Sequence, residues 1–576
     1  SPIIIFELIP LSRGKMKKKV VLLTLLSCFS TSGLSANETG NLGSISESRR
    51  ALQNSQREIN QLIEQNRYQQ LQEKAVNISP TPTLITESEH CLPIKGVYIQ
   101  GITLLTEKDL NSLSPLPDQC IKSADINRLV KELTQRYLQH GYITARIQFL
   151  RPNQHGELGL YAIEGFVERI EGGDRGVNTT LLFPRIKGQP LKLATLDQGL
   201  DQANRLQSNK VTVDILPGTE LGGSVIKLSN QRKSPWHLNI ASDNYGQKNS
   251  GRWLIRTNAS LDSPLGLSDF VSLNANITTD NPNTRFNRAY TLLYSIPYGG
   301  FTFSSFGSYS EYQFHQKLQT RTVSLYGDTT QVGIRGDYAF SRSQKQIDTL
   351  NIQVTHKRIR NYFSQIRLDL SSPKLTTIEL GINHLQIIPN GVLSTNLSVE
   401  KAVGWFGAEE TPYITNGNGN DYRFTKVKLF ANWYQRFSLW HSTFLFNSTF
   451  LGQYSHDTLP GVEWLSLTDK NAIRGFDQST LSGDNGGYLR NTLSYPYRLN
   501  HFSITPRIGV DIGQVKQHGN YKGWQGGYGL SSGLNIQYQQ AQLDLEVAKG
   551  ELLYHQTNSN KTKDPTQLLV KFSYLF

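Results

Sequence analysis

The sequence predicts a membrane-embedded all-β barrel of the outer-membrane type, with about sixteen antiparallel strands. A polar helix and two small α/β modules precede it. Three observations carry that expectation. From residue 232 to residue 576 the chain runs in segments of alternating apolar and polar residues, with no convincing helix. The connections between those segments alternate short and long, as they do in barrels with tight turns on one side of a membrane and loops on the other. In the last segment Leu568, Val570, Phe572, Tyr574 and Phe576 share one apolar face against Lys571 and Ser573, and the chain closes on an aromatic residue.

The composition sets the outer limits. The chain has 576 residues, 18% of them charged, with 48 glycines and a formal net charge of +13. A mean hydropathy of −0.40 excludes a bundle of transmembrane helices. The surplus of positive charge is scattered, without a dense basic run interleaved with aromatics, so no nucleic-acid partner is expected. Val20 to Phe29 is the one continuously apolar stretch, and it is far shorter than the ~20 residues a spanning helix needs. It follows Lys17, Lys18 and Lys19 and precedes small residues up to Ala36, the pattern of a secretory signal peptide. Residues 1–36 are therefore expected to be upstream residues and a signal peptide starting at Met16, cut after Ser35 or Ala36. Leu26-Ser27-Cys28 fits a lipoprotein box poorly.

The remaining elements follow in order. Within residues 37–75, the stretch from about 45 reads as one polar helix without Gly or Pro. Ile45, Leu52, Ile59, Leu62, Ile63 and Leu71 give it only a thin apolar stripe, which suits a wet cavity or a coiled coil better than a core. Residues 76–90, with Pro80 and Pro82, read as a linker. Residues 91–166 read as strand, helix, strand, strand. Val97 to Ile99 is the first strand. Ile126, Leu129, Val130, Leu133 and Tyr137 recur at helical spacing, with Ser123 as N-cap. Ile143 to Phe149 and Leu158 to Ala162 alternate as strands. Residues 167–231 repeat that order, with Leu196, Leu200 and Ala203 on the helix. After removal of Cys28, the cysteines left are Cys91 and Cys120, and two cysteines in an exported chain suggest one disulfide. Closing that loop stabilises the module by roughly 3–4 kcal/mol in the chain-entropy model.

In residues 232–576, short turns are expected near 263–266, 297–299, 389–391, 437–441 and 539–541. Longer loops are expected near 312–328, 358–375, 403–422, 455–484 and 550–566. Gly529-Leu530-Ser531-Ser532-Gly533 matches the nucleophile-elbow pattern, but it lies in an alternating segment and not at a strand-to-helix turn. No metal, phosphate or cofactor motif is present, so neither a catalytic residue nor a cofactor is expected. The longest loop holds Ile473-Arg474-Gly475-Phe476. Two segments further on, Gly509-Val510-Asp511-Ile512-Gly513 lies in a strand. If the loop folds inward, Arg474 can meet Asp511.

These residues resemble the two-partner secretion transporters, the TpsB family within the outer-membrane-protein-assembly superfamily. The loop is similar to the family's (V/I)-R-G-(F/Y) hallmark, and the strand to its F-x-D-x-G motif. The resemblance implies that Arg474 pairs with Asp511 inside the barrel, with Gly513 completing the strand motif. Gly509 stands where the family prefers Phe, Leu467 and Thr468 where Gly-Gly is frequent, and Thr492 where an acid is common. Cys91-Leu92-Pro93-Ile94, Cys120, Gly141 to Arg146 and Pro152-Asn153-Gln154 resemble the family's first POTRA domain. The resemblance then makes 91–166 and 167–231 two periplasmic POTRA domains, 37–75 the plug helix and 232–576 the barrel. It implies a protein of the Gram-negative outer membrane, in contact with lipid and lipopolysaccharide and inserted by the barrel-assembly machinery. Its POTRA domains would bind a large exoprotein client, such as a hemolysin, adhesin or contact-inhibition toxin, for secretion to the cell surface. An assembly factor of the same superfamily is the alternative.

Overall fold

From residue 236 onward, every described strand except the short pair Leu465–Ser466 and Ser482–Gly483 joins one sheet, and that sheet closes on itself. The computed structural model describes residues 43–72, 81–317, 320–410, 421–477, 481–518, 523–553 and 564–576. The expected signal peptide lies outside the described residues, as do residues 73–75 of the expected helix and parts of the linker and long loops. The barrel has sixteen antiparallel strands, from Trp236–Asp243 to Gln567–Leu575. The last strand pairs with the first, Lys571 opposite Asp243 through Leu575 opposite Asn239. Closure removes the free edges that lipid cannot satisfy. Side chains alternate as the pleat requires. Leu350 and Ile352 face outward and are exposed, whereas Asn351 and Gln353 face inward and are buried.

Two expected loops turn out shorter than expected, with strand taking up much of their length. Phe301–Lys317 and Thr322–Arg342 form one long hairpin, and Gln346–Phe363 continues well past residue 358. Tyr312, Phe314 and Leu325 pack together on the inner face and sustain the pairing beyond the membrane band. Polar residues on the outer face of this extension made it read as loop. Short turns also occur at Ser343–Lys345 and around Tyr495–His501, where none was expected.

Ahead of the barrel, helix α1 covers Gly43–Gln72. At 1.5 Å per residue it is about 45 Å long, more than the ~25 Å apolar band of such a barrel. The first α/β module joins strands β1 (Gly96–Gln100), β2 (Arg146–Leu150) and β3 (Glu157–Ile163) in the order β1-β3-β2, β1 lying parallel to β3. Helices α2 (Glu107–Asn111) and α3 (Ser123–Gln139) accompany the sheet. Ser123 is not the N-cap but the first helical residue. Its hydroxyl instead accepts the Ser88 amide at 2.7 Å, while Asp125 accepts the Lys122 amide at 3.0 Å. The Cys91–Cys120 disulfide, with Cα atoms 4.9 Å apart, ties the entry of this module to the segment before α3. In the second module, β4 (Phe166–Glu171), β5 (Val211–Pro217) and β6 (Gly223–Asn230) take the order β4-β6-β5. Helices α4 (Thr179–Leu182) and α5 (Leu193–Asn204) complete it, with Leu196, Leu200 and Ala203 in the core.

The second module is fastened to the short turns of the barrel. Gln202 of α5 donates to the Gly299 and Phe301 carbonyls, both at 3.0 Å. Arg342 makes a two-pronged ion pair with Asp201, at 2.5 and 2.9 Å. Arg205 and Asn178 both bond to Ser268 in the first short turn, at 2.9 and 2.8 Å. The short turns therefore lie on the side of the two modules.

Candidate functional site: the filled lumen

The loop after strand Ser442–Ser455 turns into the barrel, and its tip is seated against the wall. Ile473, Arg474 and Phe476 are buried among Leu465, Leu467, Leu481 and Tyr488. Gly475 turns the tip with φ of 91°, and a Cβ there would sit 2.3 Å from the Gly550 nitrogen. Only glycine meets both demands. The Arg474 guanidinium makes a two-pronged pair with Asp511, Nε to Oδ2 and Nη2 to Oδ1 each at 2.7 Å, and the Arg474 amide also reaches Oδ2 at 3.0 Å. Nη2 donates a further bond to the Asn491 carbonyl at 2.8 Å. Asp511 is fully buried on strand Phe502–Lys516. Planar, doubly bonded Arg–carboxylate pairs are the most geometrically demanding of ion pairs.

The wall under the tip is glycine. A Cβ on Gly509 would lie 2.3 Å from the Arg474 guanidinium carbon, and one on Gly529 would lie 2.2 Å from the Arg474 carbonyl oxygen. The ring of Phe476 covers Gly527 and Gly550, and Leu467 covers Gly513. Gly509 is thus compatible with this seat because the guanidinium occupies the space a side chain would need. The nucleophile-elbow pattern at 529–533 is explained the same way. It lies inside strand Gln525–Tyr538, and its small residues make room for the loop.

Charged neighbours flank the tip. Arg507 pairs with Asp544 at 2.6 Å and Glu546 at 3.0 Å, and Glu546 also lies 3.8 Å from Arg474. Arg490 donates to the Lys470 and Ala472 carbonyls at 2.6 and 3.1 Å. Asp477, just past the tip, pairs with Arg252 at 2.6 Å.

A second anchor holds the root of the same loop, and sequence reasoning missed it. Glu463 is buried and accepts from Lys357 at 2.7 Å and from Lys426 at 2.5 Å. Glu400 bridges Lys357, Lys426 and Lys428, and Glu379 pairs with Lys428 at 2.6 Å. Three lysines and three glutamates thus neutralise each other on the inner wall, as buried charge must be. The partners come from four strands and one loop, so no local spacing announces them.

Helix α1 occupies the lumen beside the loop. Arg49 donates to the Gly461 carbonyl at 2.7 Å and lies over the Trp464 ring at 5.5 Å, and Gln53 donates to the Trp464 carbonyl at 2.9 Å. These contacts straddle Glu463. Ser48 and Asn361 bond to one another, Glu58 accepts from Asn274 and Asn276, and Arg67 pairs with Asp337 at 2.7 Å. The thin apolar stripe has its own contacts. Leu52 packs with Ile359, Leu375 and Val462, Ile59 with Phe270, Leu293 and Phe306, and Leu71 with Ile347 and Leu385. A polar helix is stable here because a polar wall meets almost every turn of it. Among the described residues, no cluster of His, Cys, Asp and Glu could hold a metal ion.

In the first module, burial alone would raise the Glu164 carboxyl. Hydrogen bonds from Thr103, Leu104 and Tyr137 outweigh it and hold the group below the ordinary carboxylate range.

Comparison with known proteins agrees with this architecture. Residues 222–536 match the model of the family described as haemolysin secretion/activation protein ShlB/FhaC/HecB. Residues 92–165 match the ShlB-type POTRA domain and 163–217 a further POTRA domain. The chain is 99% identical over 561 residues to the hemolysin transporter protein HpmB of Proteus mirabilis, covering 97% of this chain and 100% of that one. It is 55% identical over 563 residues to the hemolysin transporter protein ShlB of Serratia marcescens, again covering 97% and 100%. The solved structure of CdiB from Escherichia coli shares the fold, with a TM-score of 0.78 at 24% identity over 92% of this chain and 99% of that one. A closed barrel with an occluded lumen, two POTRA domains on the side of the short turns and these matches place the chain in the haemolysin secretion/activation protein ShlB/FhaC/HecB family, as an outer-membrane transporter of two-partner secretion.

Proposed function

We propose that the chain exports a large hemolysin-class exoprotein from the periplasm to the cell surface, through a lumen closed at rest by α1 and the inward loop. The names of the two hemolysin transporters, at 99% and 55% identity, support the client class. The observation that carries the mechanism is that both obstructions are held against the barrel wall by noncovalent contacts. Arg474 to Asp511, Glu463 to Lys357 and Arg67 to Asp337 can all open without breaking a covalent bond. The POTRA domains capture an extended client segment along an open strand edge, where main-chain bonds give affinity with little dependence on sequence. The sheet orders leave β2 and β5 at edges. The periplasm has no ATP, so folding of the client outside supplies the direction. The strand Gln567–Leu575 that closes the barrel is what the barrel-assembly machinery reads, and the outward apolar face meets outer-membrane lipid and lipopolysaccharide.

The test is export in a heterologous strain that expresses this chain with the large exoprotein encoded beside it. Erythrocyte lysis by the culture, dependent on this chain, is the expected result. A client retained in the periplasm while the barrel is folded in the outer membrane would overturn the reading in favour of an assembly factor or a different client.

A further inference from the structure

The outer face of strand Gln346–Phe363 is apolar through Leu350, Ile352 and Val354 and then changes to His356 and Arg358, in the half away from the short turn at 343–345. The next two strands change in the same way. Lys374 follows Ile378 and Thr376 on strand Lys374–Ile388, and Lys401 follows Leu397 and Val399 on strand Gly391–Val403. Arg358 stands directly opposite Lys374 across the strand pair. Like charges in that position repel and destabilise a sheet. Lys401 lies on the following strand, opposite Ile378.

Several other outward cations of this rim are matched to a carboxylate: Arg288 to Glu311 at 3.0 Å, Arg360 to Asp328 at 2.9 Å and Arg423 to Glu410 at 2.9 Å. Arg358, Lys374 and Lys401 have no carboxylate within ion-pair distance among the described residues. The neighbouring residues 411–420 contain neither Asp nor Glu. The one polar side-chain contact of the trio is a bond from Lys401 to the Arg423 carbonyl at 2.6 Å. Trp405 and Phe406 stand exposed beside them, Phe406 edge-on to His356 at 6.1 Å. Aromatic side chains in such barrels gather where apolar lipid gives way to headgroup.

We propose that Arg358, Lys374 and Lys401 form a binding site for the phosphorylated headgroup of lipid A, the lipid of the outer leaflet. The site faces outward at the upper edge of the apolar band, so its ligand is a membrane lipid. Its three unmatched cations require an anion, and a phosphate accepts from the Arg fork and from lysine ammonium groups at once. A bound phosphate also removes the repulsion between Arg358 and Lys374. The proposal deepens the lipid contact proposed above and rests on the outer-membrane placement, independent of which client is exported.

The experiment measures lipid A retained by the full-length protein purified from outer membranes. The triple variant Arg358→Gln, Lys374→Gln, Lys401→Gln is expected to retain less by about tenfold, the scale of one lost charge-assisted hydrogen bond, while Arg358→Lys retains most of it. Equal retention by a folded triple variant overturns the site. Competition on the wild-type protein in nanodiscs needs no variant. Lipid A is expected to bind, and dephosphorylated lipid A and inorganic phosphate are expected not to displace it. Displacement by inorganic phosphate would make this a free-anion site, and displacement by phosphatidylglycerol a generic anionic contact; both overturn the proposal. Export of the client is scored in the same strains, so loss of export with lipid A retained counts against the client reading alone.

Discussion

Arg474 gives its Nε, its Nη2 and its main-chain amide to one carboxylate, and that carboxylate has no access to solvent. Replacing Arg474 by alanine leaves Asp511 buried and unpaired, a change that costs about 3–5 kcal/mol when one partner of a buried pair is removed. The loop should leave its seat while the barrel still folds. Arg474→Ala is therefore expected to insert normally, to expose Lys470 to externally added protease and to impair export; an Arg474→Ala protein with a protected loop and normal export would refute the role. Lysine is not an adequate substitute, because it cannot present two parallel donors. Glu164 makes a prediction about pH. Its carboxyl is held below the ordinary range in the folded module, so its contribution is present above its unfolded pKa of about 4.3 and is lost as pH falls through the lower folded value. Hydrogen exchange of the Thr103 and Leu104 amides, corrected for intrinsic rate, should accelerate in acid for the wild type and show little pH dependence in Glu164→Gln. At this scale the sequence was legible where a motif carries its partner by rule, as with Arg474 and Asp511. It was silent on Glu463, whose meaning depends on Lys357, 106 residues earlier, and Lys426, 37 residues earlier.

Helix α1 and the loop are separate elements with a shared footing. Arg49 and Gln53 bond to the Gly461 and Trp464 carbonyls on each side of Glu463. Loosening the loop root should therefore loosen the helix as well. Glu463→Gln leaves three lysines facing two glutamates, and we expect larger channel conductance in planar bilayers than for the wild type; unchanged conductance with a folded barrel would show that the root does not hold the plug. A converse test locks the helix. Cysteines at Ser48 and Asn361, whose side chains are in hydrogen-bond contact, should form a disulfide that stops export, with reductant restoring it relative to the wild type treated alike. Export through the locked barrel would mean that α1 need not move. The elements were legible in unequal measure. A run without Gly or Pro marked α1, and alternation marked most strands. The long hairpin Phe301–Arg342 was read with too long a loop because its outer face, with Glu311, Gln313 and His315, turns polar toward the hairpin tip. Its inner face continues to pair.

At the scale of the whole molecule, the second POTRA domain and the barrel form one framework. Asp201 and Gln202 of α5, Arg205 at its C-terminal cap and Asn178 at the cap of α4 meet three separate strand ends or turns. Nothing in the sequence of α5 distinguishes those contacts from an ordinary solvated face, which is why this docking was not foreseen, whereas the strand count and the order of modules were. Deleting residues 43–72 should leave this framework standing, because none of these docking bonds involves α1. The deletion protein is expected to insert and to conduct more than the wild type; failure to insert would assign α1 a structural duty. The wall behind the inward loop has its own consequence. Gly509, Gly513, Gly527, Gly529 and Gly550 lie under Arg474, Leu467 and Phe476. When the tip withdraws, the strip it uncovers is largely bare main chain, with the Asp511 carboxylate standing between Gly509 and Gly513. A polypeptide sliding along that furrow meets a shallow track broken by one carboxylate, so the same groove that keeps the loop snug in the closed barrel would offer a passing chain few side-chain obstacles.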